Sequence, residues 1–154
     1  MSDFGDIDSS DYLVSMIEVI GNFVLAHVDE ITFTPEIPML DENTRLTKPM
    51  LYIEPIGGRN SDVGMGRRIS ASSRAVRKHV DMFLYWIISD DAGGEHRLMQ
   101  SSGELEYVFA KYRHELRGSG FSEINLSPMH KIPRGTTQFY GGRHFLNATF
   151  LIKY

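Results

Sequence analysis

The chain has no cysteine among its 154 residues. That excludes disulfides, thiolate zinc sites and a cysteine nucleophile, and it fits a reducing cytoplasm. No apolar run approaches the roughly 20 residues of a membrane helix, so no membrane partner is expected. The longest run, MFLYWII at 82–88, reads as a buried strand. Early positive charge is also missing. The start, MSDFGDIDSSD, is acidic and Ser-rich, unlike a signal or transit peptide. Residues 1–9 are expected to form a mobile N-terminal arm. Without a signal peptide, the triplets Asn125-Leu-Ser127 and Asn147-Ala-Thr149 read as chance rather than as glycosylation sites.

Motifs for chemistry are equally scarce. The six histidines show no HxH, HxxxH or HExxH spacing, so the sequence offers no metal pair. Gly57-Gly58 and Gly64-Met-Gly66-Arg67-Arg68 lack the Gly-x4-Gly-Lys-Ser/Thr of a phosphate loop. Ser70, Ser72 and Ser73 lack a GxSxG elbow. Asp90-Asp91 is a carboxylate pair by sequence, but turn and helix-cap chemistry explains it as well. No catalytic, cofactor or metal residue is assigned, and the chain is expected not to be an enzyme.

What is present is an uneven charge. Residues 57–79 (GGRNSDVGMGRRISASSRAVRKH) carry Arg59, Arg67, Arg68, Arg74, Arg77 and Lys78 against one acid, Asp62. Residues 1–56 carry eleven acids and two bases, while the chain as a whole is net −4. A Gly/Ser/Arg-rich loop over 57–73 that runs into a strand is a surface for contact rather than for chemistry. It has three readings: a solvated connection, a phosphate contact, or a protein contact with an acidic surface. The acidic first third supplies such a surface within the same chain, so a head-to-tail homo-oligomer could pair the two regions.

The length suits one domain, 1–154, and the 42% apolar and 23% charged contents are those of a globular protein. Apolar residues at 13, 16, 17, 20, 23 and 24 step by three and four, which predicts a helix over 11–28. Residues 29–48 read as an irregular connection with a short strand at Ile31-Thr-Phe33. A strand is expected at 49–56, stopped by Gly57-Gly58. Residues 74–89 alternate, with Val76, Val80, Met82, Leu84, Trp86 and Ile88 on one face. The other face turns apolar in its second half, so this strand is expected to finish covered on both sides. Trp86 is expected in the core.

Leu98, Ser102, Leu105, Phe109, Tyr112 and Leu116 define a second helix, beginning at 95 or 102 and ended by Gly118 and Gly120. Residues 121–132 form one strand, or two broken at Pro128. Residues 133–143 read as a loop whose Phe139 and Tyr140 are candidate interface anchors. The last strand spans 144–153. Together these give an α+β fold, with two helices packed on one face of a mostly antiparallel mixed sheet.

The element order, the final strand HFLNATFLIKY and the run VRKHVDMFLYWIISDD…EHRLMQSSGELEYVFAKYRHEL resemble the tail terminator proteins of long-tailed bacteriophages. The resemblance covers roughly residues 10–154. It implies a structural virion protein without cofactors that forms a hexameric ring on the tail tube, stops its growth and joins the head connector. Its partners would be copies of itself, the tail tube protein and the connector, with transient contact to passing DNA. Arg59, Arg67, Arg68, Arg74, Arg77 and Lys78 would then serve as subunit contacts or line the lumen. The alternatives are another neck or tail-tube component of similar fold, or a small nucleic-acid-binding protein that uses the basic loop.

Overall fold

A computed structural model describes residues 3–36, 38–41, 43–62, 75–89, 94–133 and 137–153. Helix α1 (Tyr12–His27) is followed by strands β1 (Thr32–Thr34), β2 (Met50–Asp62) and β3 (Ala75–Ser89). Helix α2 (Gly94–Tyr112) passes into a 3-10 turn (Arg113–Ser119), and strands β4 (Phe121–Leu126), β5 (His130–Ile132) and β6 (Phe139–Lys153) complete the chain. The sheet runs β1-β2-β3-β6-β4, with β5 also paired to β6. Among the described strands only β1–β2 is parallel. The fold is therefore α+β with a mostly antiparallel mixed sheet, as the patterning implies.

Both helices cover one face. Met82, Leu84, Trp86 and Ile88 of β3 and Leu146, Ala148 and Phe150 of β6 are fully buried beneath them. On α1, Met16, Val19, Ile20, Phe23 and Val24 point inward, and on α2 Leu98, Leu105, Val108 and Phe109 do. Phe23 meets Phe109 edge-on at 5.2 Å between ring centres, which joins the two helices. A Cβ on Gly21 would fall inside the Phe33 ring, so that glycine lets β1 close on α1. Gly120, at φ 117°, takes the left-handed conformation that ends the helical segment.

Several expectations need correction. Of the expected arm over 1–9, the described residues 3–9 are tethered to the core rather than free. Phe4 is buried with its ring edge-on to Phe23, and the Ile7 N–H donates to the Ser119 carbonyl. The aromatic side chain outweighs the acids around it. Gly57-Gly58 does not stop β2. A bulge between Pro55 and Gly57 absorbs one residue, and pairing continues to Asp62, because β3 is long enough to partner it. The expected loop 57–73 thus begins as strand, and its residues 63–73 lie outside the described part, as do Asp90 and Asp91. Residues 139–143 are strand rather than loop, since β3 offers Ile87, Ile88 and Ser89 as partners. Pro128 does separate β4 from β5.

One polar network sits inside this core. His144 is fully buried between Trp86, Ser102 and Ser127. Trp86 Nε1–H can only donate, so His144 Nε2, 3.1 Å away, accepts. Ser102 Oγ lies 3.1 Å from the same nitrogen and donates to it as well. Nδ1 therefore carries the proton and donates to the Ser127 carbonyl at 3.0 Å. Burial pushes the His144 pKa below its ordinary 6.5. The bond to Ser127 works against that shift, and the nearby His130 reinforces it. A base held neutral in the folded state loses stability as pH falls below the unfolded value. Unfolding midpoints in urea should thus drop as pH is lowered from about 7 to about 5. His144→Gln should flatten that slope, and an unchanged slope would place its origin elsewhere.

Candidate interface on the open face of the sheet

The face of the sheet turned away from the helices has no helix over it among the described residues, and only the chain around Leu40 approaches one end of it. Odd-numbered residues of β3 and β6 project from it, and so do Met50, Tyr52 and Glu54 of β2. The bulge then changes the parity of β2, so Gly57 and Arg59 rather than Gly58 and Asn60 share this side. Without that single extra residue Arg59 would point toward α1. The expectation that β3 finishes covered on both sides is corrected here: Phe83, Tyr85 and Ile87 are only half-buried. Among the described residues no helix lies over them, and only Leu40, Ile132, Pro133 and Thr137 approach, at the Phe139 end.

Cross-strand rows order this face. Tyr52, Tyr85 and Arg143 form one row, with the two tyrosine rings stacked 4.7 Å apart. Glu54, Phe83 and Phe145 form the next, and the two phenylalanines meet edge-on at 6.1 Å. The Arg143 guanidinium bridges the rows, 4.5 Å above the Phe83 ring. Further along, Asp81 accepts from the Asn147 amide at 2.6 Å, and His79 lies 3.1 Å from Thr149 Oγ1. Arg59 and Arg77 end the face, and both are exposed. The Tyr52 hydroxyl is pushed above its ordinary pKa by burial, then by Tyr85 and Glu54. Tyr85 is raised by burial and Glu54, with Arg143 pulling it down. Both therefore remain neutral hydroxyls at pH 7, able to donate or accept at a contact.

The six basic residues singled out in the sequence do not act as one group. Arg59 and Arg77 share the open face. Lys78, which was expected to be a contact residue, has the opposite parity and is 9% exposed. Its ammonium sits 4.9 Å above the Tyr12 ring, where cation–π attraction and a buried stem hold it. Arg67, Arg68 and Arg74 lie outside the described residues.

The two candidate anchors also part. Phe139 has open-face parity and lines a shallow apolar hollow of about 280 Å³ with Leu40, Ile87 and Ile132. Tyr140 turns toward α2, with its ring against Gly94. The sequence reading missed Tyr52, Arg143 and Phe145. Arg143 sat in an expected loop, and the face became visible only once β6 was extended through it.

A hydrolytic reading of the Ser102–His144 contact fails on access. Ser102 is 3% exposed and His144 is completely enclosed. Among the described residues no group of three or more His, Asp or Glu is placed to hold a metal ion. No described helix is long and apolar enough to cross a membrane. No family model and no curated protein matches the chain.

The asymmetry of β3 makes a paired prediction. Leu84→Ala empties a fully buried site and should cost about 2–5 kcal/mol. Tyr85→Ala, one position away on the half-open face, should cost only about 1 kcal/mol for its stacking partner. Equal losses in denaturant titrations would show that the open face is already covered in solution.

Proposed function

We propose that this chain is a structural subunit that assembles with copies of itself. Its role is that of a tail terminator of a long-tailed phage, a ring that caps the tail tube and joins it to the head connector. The observation that carries the reading is the open face: a continuous row of half-buried aromatic side chains with cations at its end and no helix over it among the described residues. Contiguous apolar surface rimmed by polar groups marks a protein contact more often than a catalytic one. Aromatic and Arg enrichment with few lysines is also the composition of interface cores. The acidic first third and the basic 57–79 stretch are separated along the chain, which favours head-to-tail over self-matching contact. This function requires no catalysis and no cofactor.

A second reading is favoured by one specific observation. Phe83, Tyr85 and Phe145 share a face with Arg59 and Arg77, and single-stranded nucleic acid binds sheets that combine rings with cations. Two features weigh against it. The Tyr52 and Tyr85 rings are stacked on each other, and Glu54 and Asp81 stand on the same face, where they repel phosphate.

Light scattering and electron microscopy, with and without isolated tail tubes, separate the readings. Rings of about six subunits seated on tube ends support the first. A monomer that binds single-stranded DNA with a steep salt dependence supports the second. If Arg67 and Arg68 serve assembly rather than folding, Arg67→Glu combined with Arg68→Glu should leave the melting temperature nearly unchanged, within the roughly 0–1 kcal/mol of an ordinary solvated charge. In complementation it should leave heads and tails unjoined, or tails of uncontrolled length. Normal infectious particles from the double variant would reduce that segment to a solvated connection.

A further inference from the structure

We propose that the outer stripe of α1 of one copy seats on the open sheet face of the next. The inference rests on the self-assembly reading above and names the two surfaces that meet.

The outer stripe of α1 is unusual for a surface helix. Asp11, Val14, Glu18, Asn22 and Leu25 follow one another at steps of three and four, and all are exposed. Val14 is 51% and Leu25 47% exposed, so the side facing away from the core is partly apolar as well. A helix that carries apolar residues on both sides expects a second neighbour. Its charged members, Asp11 and Glu18, are both acidic, and Asp8 and Asp29 flank its ends.

The open face of the sheet is its complement. Phe83, Tyr85 and Phe145 supply apolar area, while Arg143, Arg59 and Arg77 supply positive charge around it. Glu54 and Asp81 also stand there, but the Asp81 carboxylate is engaged by Asn147. Dimensions agree as well. The 16 residues of α1 span about 24 Å, and β3 from Arg77 to Ile87 spans about 33 Å. A helix laid on the bare side of a one-sided sheet gives the three-layer arrangement that closes both faces. The two surfaces lie on opposite sides of the same subunit. Their contact is therefore heterologous, and it closes into a ring if the rotation allows. A back-to-back dimer through the sheet faces would instead place Arg59, Arg77 and Arg143 near their own copies, with less charge compensation.

The absence of native cysteine makes a direct test possible. Val14→Cys and Tyr85→Cys are prepared as separate proteins in the full chain. They are treated with a short bismaleimide at the highest attainable concentration, alone and mixed, with light scattering on the same samples. The mixture should give a cross-linked pair at least tenfold above either variant alone. Leu25→Cys serves as a second helix variant if Val14→Cys proves unstable. Tyr85→Cys cross-linking efficiently to itself would overturn the proposal in favour of a back-to-back dimer. Assembly without the mixed cross-link would overturn it while leaving the ring reading intact. A protein that remains monomeric and uncross-linked, with isolated tail tubes as well as without them, removes both. Protection of Tyr85→Cys from maleimide by a single-stranded oligonucleotide, without cross-linking, would assign the face to nucleic acid.

Discussion

One strand imposes its geometry on the rest of this molecule. Side chains of β3 alternate between a face that is completely enclosed and one that is half-exposed, and every other element is placed by that alternation. Trp86, Leu84 and Met82 need cover, and α1 and α2 provide it from one side. Trp86 also brings a polar requirement into the core, and His144 of β6 meets it while Ser102 of α2 and the Ser127 carbonyl hold the imidazole in one tautomer. A buried ring nitrogen with two donors aimed at it ties the sheet to α2 in a single register, because any slip would strand those groups without partners. The same alternation leaves Phe83, Tyr85 and Ile87 half-buried, with no helix above them among the described residues, and the interface reading starts from that deficit.

Much of the fold was legible because its signals are local. The 3.6-residue period of α1 and α2 and the two-residue period of β3 each survive in a single sequence, and Gly120 and Pro128 act where glycine and proline usually act. The errors share one cause, which is long-range pairing. Gly57-Gly58 and Gly141-Gly142 look like turn residues when read alone, but both pairs lie in strands opposite β3. Their neighbours Arg59 and Arg143 became sheet residues with them. Phe4 was misread for a related reason, since an acidic segment looks mobile until its one ring is seen against Phe23.

The open face was less legible than the fold. Its members come from β2, β3 and β6, more than ninety positions apart at the extremes, and the bulge at Pro55–Gly57 decides which basic residues join it. Charge density along the sequence singled out residues 57–79 but grouped Lys78 with the arginines. Parity separates them: Lys78 stabilises the α1 side through Tyr12, while Arg59 and Arg77 remain available on the outside. Composition can announce that a surface exists. Only the pairing register assigns residues to one side of it.

The central claim is that the open face is a protein contact surface, and sedimentation velocity over a wide concentration range tests it most directly. Wild-type protein is compared with Phe83→Asp combined with Tyr85→Asp, after circular dichroism has shown that the variant is folded. Wild type should associate with rising concentration, and the variant should sediment as a monomer throughout, since burying two unpaired carboxylates is strongly unfavourable. A folded variant that associates as readily as wild type would contradict the claim.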